Sequence, residues 1–137
     1  MSDNVSRYKG RHQAFLICFE RMFHDTPAEE ISEIAEESRD DAYSKFAVDC
    51  ANGVQQNLQE IDEIITSHLS KKWTLRRIDR VTLSILRLAV YEMKYLDEIP
   101  DSVSINEAVE LSKKYSGDEE YRFINGVLGA VAKGLKD

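Results

Sequence analysis

Apolar residues along the chain recur every three or four positions, and no segment shows sustained alternation. This pattern predicts helices and no strands. The first helix is expected from about Arg7 to His24, with Phe15, Cys18, Phe19, Met22 and Phe23 on its apolar side. Asp25-Thr26-Pro27 closes it and opens a short second helix reaching about Glu37. Thr26 suits an N-cap, Pro27 the first helical position, and Glu29 and Glu30 the positive end of the dipole. A long third helix is predicted from about Asp41 to Leu69, because Ala47, Cys50, Val54, Leu58, Ile61, Ile65 and Leu69 form one unbroken stripe. Gly53 weakens that helix by about 1 kcal/mol relative to Ala and marks a kink or a close contact.

Residues 70–78 hold Trp73 and two basic pairs, with room for one short helical turn. The segment from about Asp79 to Tyr95 is apolar nearly all round, so it must be covered on several sides and belongs at the centre of the C-terminal half. Ile99-Pro100 imposes an extended link. Ser104, with Glu107 three residues on, reads as a capping box opening a sixth helix that ends at about Tyr115 before Ser116-Gly117. A seventh runs from about Asp118 to Leu135, with Phe123, Val127, Leu128, Val131 and Leu135 inward. The expected fold class is all-α: one domain over 1–137, with about seven helices in two packed sub-bundles, 1–70 and 71–137.

A chain of 137 residues with 42% hydrophobic and 31% charged residues is neither disordered nor membrane-embedded in character. Six Gly and two Pro are few for a turn-rich β fold. No apolar run approaches the roughly 20 residues of a membrane span, and the polar stretch from Met1 to Lys9 has no secretory apolar region. Cys18 and Cys50 both fall in apolar helical patterns, which reads as two reduced, buried thiols of a cytoplasmic protein.

The net charge of −7 argues against a general nucleic-acid binder, but its distribution is uneven. Residues 1–11 carry +2, 25–49 carry −7, 71–94 carry +5 and 95–137 carry −4. Such a chain cannot attract RNA over its whole surface. It can hold RNA at one place, and more tightly beside a basic partner. Ordinary solvated helix faces would give the same charge pattern.

The motifs of catalysis are missing. His12, His24 and His68 lie on separate segments without zinc-ligand spacing, and neither cysteine has a near partner. There is no phosphate-binding glycine loop, nucleophile elbow or Glu-x-x-His pair. Arg87, Glu92, Asn106 and Glu107 are polar residues inside apolar patterns and are expected to satisfy one another and helix ends. The expectation is a non-enzyme with no cofactor and no metal.

The run Ile85-Leu86-Arg87-Leu88-Ala89-Val90-Tyr91-Glu92-Met93, then Ile99-Pro100, Ile105-Asn106-Glu107-Ala108-Val109-Glu110-Leu111 and Phe123-Ile124-Asn125-Gly126-Val127-Leu128, resembles the NusB family of transcription antitermination factors. Trp73 before a basic stretch and Arg11-x-x-Ala14 fit the same pattern. The resemblance implies an all-helical protein that pairs with NusE, a small-subunit ribosomal protein. The pair would bind single-stranded boxA RNA and join the elongating RNA polymerase complex with other Nus factors, chiefly in ribosomal RNA synthesis. It also implies the RNA-contacting residues. The family's basic N-terminus lands on Arg7, Lys9 and Arg11, which would meet phosphates. A second region lands on Glu119, Arg122 and Phe123, with Lys113 or Lys114 nearby; there a carboxylate would accept from base amino groups and Phe123 would stack a base or pack in the core. The chain departs from the family pattern at His12 (commonly Glu), Phe19 (commonly Tyr), Glu119 (Asp in some members) and Gly129 (often Asp). Two other readings compete with this one. One is a self-associating helical module, including a homodimer. The other is an isolated RNA-binding domain related to that of RNA cytosine methyltransferases, which would need a cofactor-binding domain beyond Asp137.

Overall fold

The computed structural model of the chain describes residues 3–23, 43–117 and 119–136, the side chains of 3–8 and of 136 excepted. The second helix expected at 27–37 lies outside the described residues. Among the described residues there are six α-helices and no strand: α1 (Asp3–Arg21), α2 (Lys45–Gln56), α3 (Leu58–Ser67), α4 (Arg80–Tyr95), α5 (Asp101–Tyr115) and α6 (Glu120–Lys136). A single 3-10 turn, Leu75–Arg77, precedes α4. The chain divides into two compact units, Met1–Gln56 and Asn57–Asp137.

In the first unit α1 packs on α2. Ala14, Phe15, Ile17 and Cys18 supply the buried side of α1, and Ala47, Cys50, Ala51 and Val54 that of α2. The helix ends at Arg21, short of the expected His24, and Phe23 beyond it is 53% exposed. Small residues bring the two helices close. A methyl group on Gly10 would sit 2.7 Å from Phe46 Cδ2. Ser44 Oγ accepts from the Ala47 N–H (3.1 Å) at the start of α2. Arg21 donates to Ala51 O and Asn52 Oδ1, both at 2.9 Å. Both cysteines are buried thiols outside any disulfide.

The long third helix of the sequence is two helices. The break is at Asn57 (φ −114°, ψ 21°), not at Gly53, which is buried inside α2. Asn57 follows the exposed Gln55 and Gln56, and its carbonyl accepts from the Ile61 N–H at 2.9 Å to start α3. The step from Val54 to Leu58 is four residues with or without a break, so periodicity alone does not reveal it.

In the second unit α4 is central, packed by α3, α5 and α6. Leu83, Ile85, Leu86, Leu88, Ala89, Val90 and Met93 are all buried, as an all-round apolar helix requires. Asp79 caps it: its two carboxylate oxygens accept from Thr82 N and Oγ, each at 2.8 Å. Such a cap contributes about 1 kcal/mol. The capping box expected at Ser104 does not form. Pro100 (φ −60°, ψ 143°) is the N-cap and α5 starts one turn earlier. Ser104 is buried inside the helix and its Oγ donates to Glu92 Oε1 at 3.3 Å. Arg87 is answered from another element: its Nε and Nη2 meet Asp62 Oδ1 and Oδ2 at 2.8 and 2.9 Å. After α5 the backbone turns through Gly117 at φ +96°, a conformation that a side chain would strain.

Candidate nucleic-acid interface

The second unit carries a groove of about 280 Å³ lined by Trp73, Arg77, Ile78, Asp79, Thr82, Glu119, Glu120 and Phe123. Three local events build it. Trp73, two residues before the 3-10 turn, lies at the surface and is 41% exposed. The Asp79 cap starts α4 directly beneath. The first turns of α6 then bring up Phe123, half-buried, with its ring centroid 5.1 Å from that of Trp73 and tilted by 48°. The two rings make an open aromatic surface of the kind that accepts a nucleic-acid base. Arg77 lies along its edge. Its guanidinium carbon is 5.7 Å from the Trp73 ring and its Nη1 donates to Lys72 O at 2.7 Å, so the cation is held in position. Glu119 and Glu120 stand at the rim and pair with none of the described residues.

Beside this groove, Lys113 Nζ lies 4.9 Å and Arg122 Cζ 5.9 Å from the Tyr121 ring centroid. Arg122 Nε donates to Tyr121 Oη at 3.5 Å, and this bond to the charged form moves the Arg122 pKa further up. Lys114 Nζ lies 5.5 Å from the exposed Tyr115 ring. Lys113 also faces Glu110 at 3.7 Å, with both side chains about half exposed, a pair worth no more than about 1 kcal/mol.

Of the residues expected to meet RNA, the structure brings Glu119 and Phe123 into the groove and sets Lys113 and Arg122 each against the Tyr121 ring. Lys9 is exposed in the other unit. The Arg7 side chain lies outside the description. Arg11 departs from expectation: it is 4% exposed and already engaged within the chain, so its guanidinium does not project towards a phosphate. Its place on α1, next to the close approach at Gly10, puts it on the packed side of the helix. The carboxylate Glu92 is likewise buried, at 1% exposure, and unavailable to a ligand.

The model of the NusB family matches residues 9–133, which is most of the chain and includes the groove. The chain belongs to the NusB family. A transcription antitermination protein NusB of Oceanobacillus iheyensis is 39% identical over 127 residues, covering 93% of this chain and 98% of that one. Among solved structures, NusB of T. maritima superposes with a TM-score of 0.77 at 36% identity, over 93% of this chain and 90% of that one. A chain in the crystal structure of antitermination factors NusB and NusE in complex with dsRNA superposes with a TM-score of 0.80 at 31% identity, over 93% and 96%. The all-α class expected from periodicity is that of the NusB family structures.

Sequence reasoning missed Arg77, Asp79, Thr82 and Glu120 as groove residues. The available signal was a lone tryptophan inside the only strongly basic segment, 71–94. That combination marks a surface ring held among cations, because a tryptophan next to Lys71, Lys72, Arg76 and Arg77 has few ways to be buried.

Proposed function

We propose that this chain is a non-catalytic RNA-binding factor of transcription antitermination, working in the cytoplasm with a basic protein partner of the NusE kind on single-stranded boxA-type RNA in the elongating polymerase complex. The observation that carries the reading is the Trp73–Phe123 pair, an exposed aromatic surface edged by Arg77. Membership of the NusB family, and the likeness to a chain from a complex of NusB and NusE with dsRNA, support an RNA-binding role beside a NusE-type partner. Single-stranded RNA is read through splayed bases on aromatic rings, each stack contributing about 1–3 kcal/mol, with cations along the phosphates. Phe123 and Trp73 supply the rings, Glu119 an acceptor for base amino groups, and Lys113 and Arg122 the cations of this unit; Arg7 and Lys9, in the other unit, are separate phosphate contacts of the same proposal.

The net charge of −7 sets a limit on the chain acting alone. Long-range repulsion opposes a polyanion, and a basic partner seated beside the groove removes that penalty. Anisotropy titrations of a labelled boxA RNA, with and without NusE and at several salt concentrations, test the reading. The expected result is at least tenfold tighter binding with NusE, a coupling of about 1.4 kcal/mol or more. Equal affinity in both conditions would sink the shared-site reading.

A further inference from the structure

The first turn of α6 presents two chemically opposite sides. Successive helical residues are separated by about 100° around the axis, so Glu120 and Phe123 share one side while Arg122 and Tyr121 turn progressively away. The groove side holds three carboxylates, Asp79, Glu119 and Glu120, against one cation, Arg77. Asp79 is committed to its Thr82 cap, but Glu119 and Glu120 have no neutralising partner among the described residues. A phosphodiester entering that groove would meet like charges and be repelled by them. A neutral base would meet two rings and free acceptors.

The Tyr121 side is the reverse. Two cations converge on one ring, at 4.9 and 5.9 Å. Like charges brought together this way repel, and the negative face of the ring offsets part of that repulsion. Among the described residues, the Arg122 guanidinium is engaged through Nε, by Tyr121 Oη, and no carboxylate pairs with it. Its outer N–H donors are therefore available for a two-point contact, which suits a phosphate. The Lys113 contact with Glu110 is long and exposed, and is readily given up.

We infer that α6 fixes the orientation of a nucleotide at this site, and that Tyr121 is the positioning residue that makes this possible. The base enters the Trp73–Phe123 groove, the acidic rim turns the phosphodiester away from it, and Lys113 and Arg122, held on the Tyr121 ring, take that phosphate at the flank of the helix beside the groove. The inference rests on the RNA-binding reading above and adds to it a division of labour between two faces of one helix.

The test is the salt dependence of single-stranded RNA binding by the full chain, with NusE present throughout and thermal melts on every variant. Lys113→Gln combined with Arg122→Gln is expected to weaken binding about tenfold at low salt and to flatten the slope of log K against log salt by about 0.7, for the one phosphate that the two cations neutralise together. Tyr121→Leu is expected to weaken binding threefold or more and flatten the slope in the same direction, with Tyr121→Phe recovering most of the loss. Added to the double variant, Tyr121→Leu costs nothing further, since the residue acts through those two cations. Trp73→Ala weakens binding and leaves the slope unchanged. The inference is overturned if Tyr121→Leu leaves the slope intact, if its cost adds fully to that of the double variant, or if the double variant keeps the parent slope. Should Tyr121→Leu fail to fold, the slope of the double variant decides alone. Absence of any RNA binding by the unaltered chain with NusE would instead remove the RNA reading itself.

Discussion

Replacing Phe123 by alanine separates recognition from packing at the groove. The ring is half-buried and leans on Trp73, itself 41% exposed, with centroids 5.1 Å apart. A fully buried phenylalanine loses about 3–5 kcal/mol on truncation, from transfer energy and the cavity left behind. Phe123 has solvent on one side and leaves an open notch in place of a closed cavity, so roughly half the transfer loss and little of the cavity cost apply. The expected destabilisation is about 1–2 kcal/mol, a fall in melting temperature of about 4 °C per kcal/mol for a chain of this size. Loss of the stacking platform costs a further, separate 1–3 kcal/mol in RNA affinity, about 5- to 150-fold. Leu128→Ala is the internal control: the residue is 0% exposed on the same helix, so it should cost about 2–5 kcal/mol of stability while RNA affinity holds at temperatures where the protein is folded. Thermal melts and anisotropy titrations measure the two quantities independently. If Phe123→Ala matched Leu128→Ala in stability and left RNA affinity unchanged, Phe123 would be a core residue and the groove would not be a stacking site.

Other expectations concern the scaffold. Tyr95 donates a hydrogen bond to Glu60, which pushes the phenol up to about 12 and holds the carboxyl below its ordinary value. The raised phenol contributes stability below pH 10 that is lost as pH climbs towards 12; the depressed carboxyl contributes stability above its ordinary range that is lost as pH falls through its folded value. Tyrosinate absorbance should show a late ionisation that moves towards 10 in Glu60→Gln, and an unmoved late step would exclude the bond. Gly126→Ala and Gly129→Ala meet nothing within 4 Å and should each raise stability by about 0.5–1 kcal/mol in denaturant melts, whereas Gly134→Ala would bring a methyl 2.7 Å from His68 Nε2 and should forfeit that gain. The two-point Arg87–Asp62 pair is only 17% and 20% exposed, so Arg87→Ala should cost about 1–2 kcal/mol, less than the 3–5 of a wholly buried pair. A double-mutant cycle with Asp62→Ala measures the coupling, and additivity would show that the pair contributes nothing.

Helix positions were largely legible in the chain because they depend on local chemistry. The Asp79 cap, the closing glycine at 117 and the nearly all-apolar run of α4 are written in consecutive residues, and the helices end close to where those residues say. The family was legible for a similar reason: its motifs are short strings in fixed order, and they fall on α4, α5 and α6. Four features depended on tertiary structure. The break at Asn57 keeps the four-residue step of the apolar stripe, so no periodicity distinguishes it from a continuous helix. Ser104 has the spacing of a cap, but the side of α5 it occupies faces Glu92 on α4, and a buried carboxylate needs that donor more than a solvent-exposed helix end does. Arg11 reads as one more cation in a basic segment until the packing of α1 encloses it. The groove itself joins Trp73 to Phe123 across fifty residues, and two aromatic positions become one surface only when the 3-10 turn and the start of α6 are carried to the same place by their packing around α4. Local sequence sets which backbone is cheap to form; which side chains then share a surface is decided by how the helices bury their apolar sides against one another.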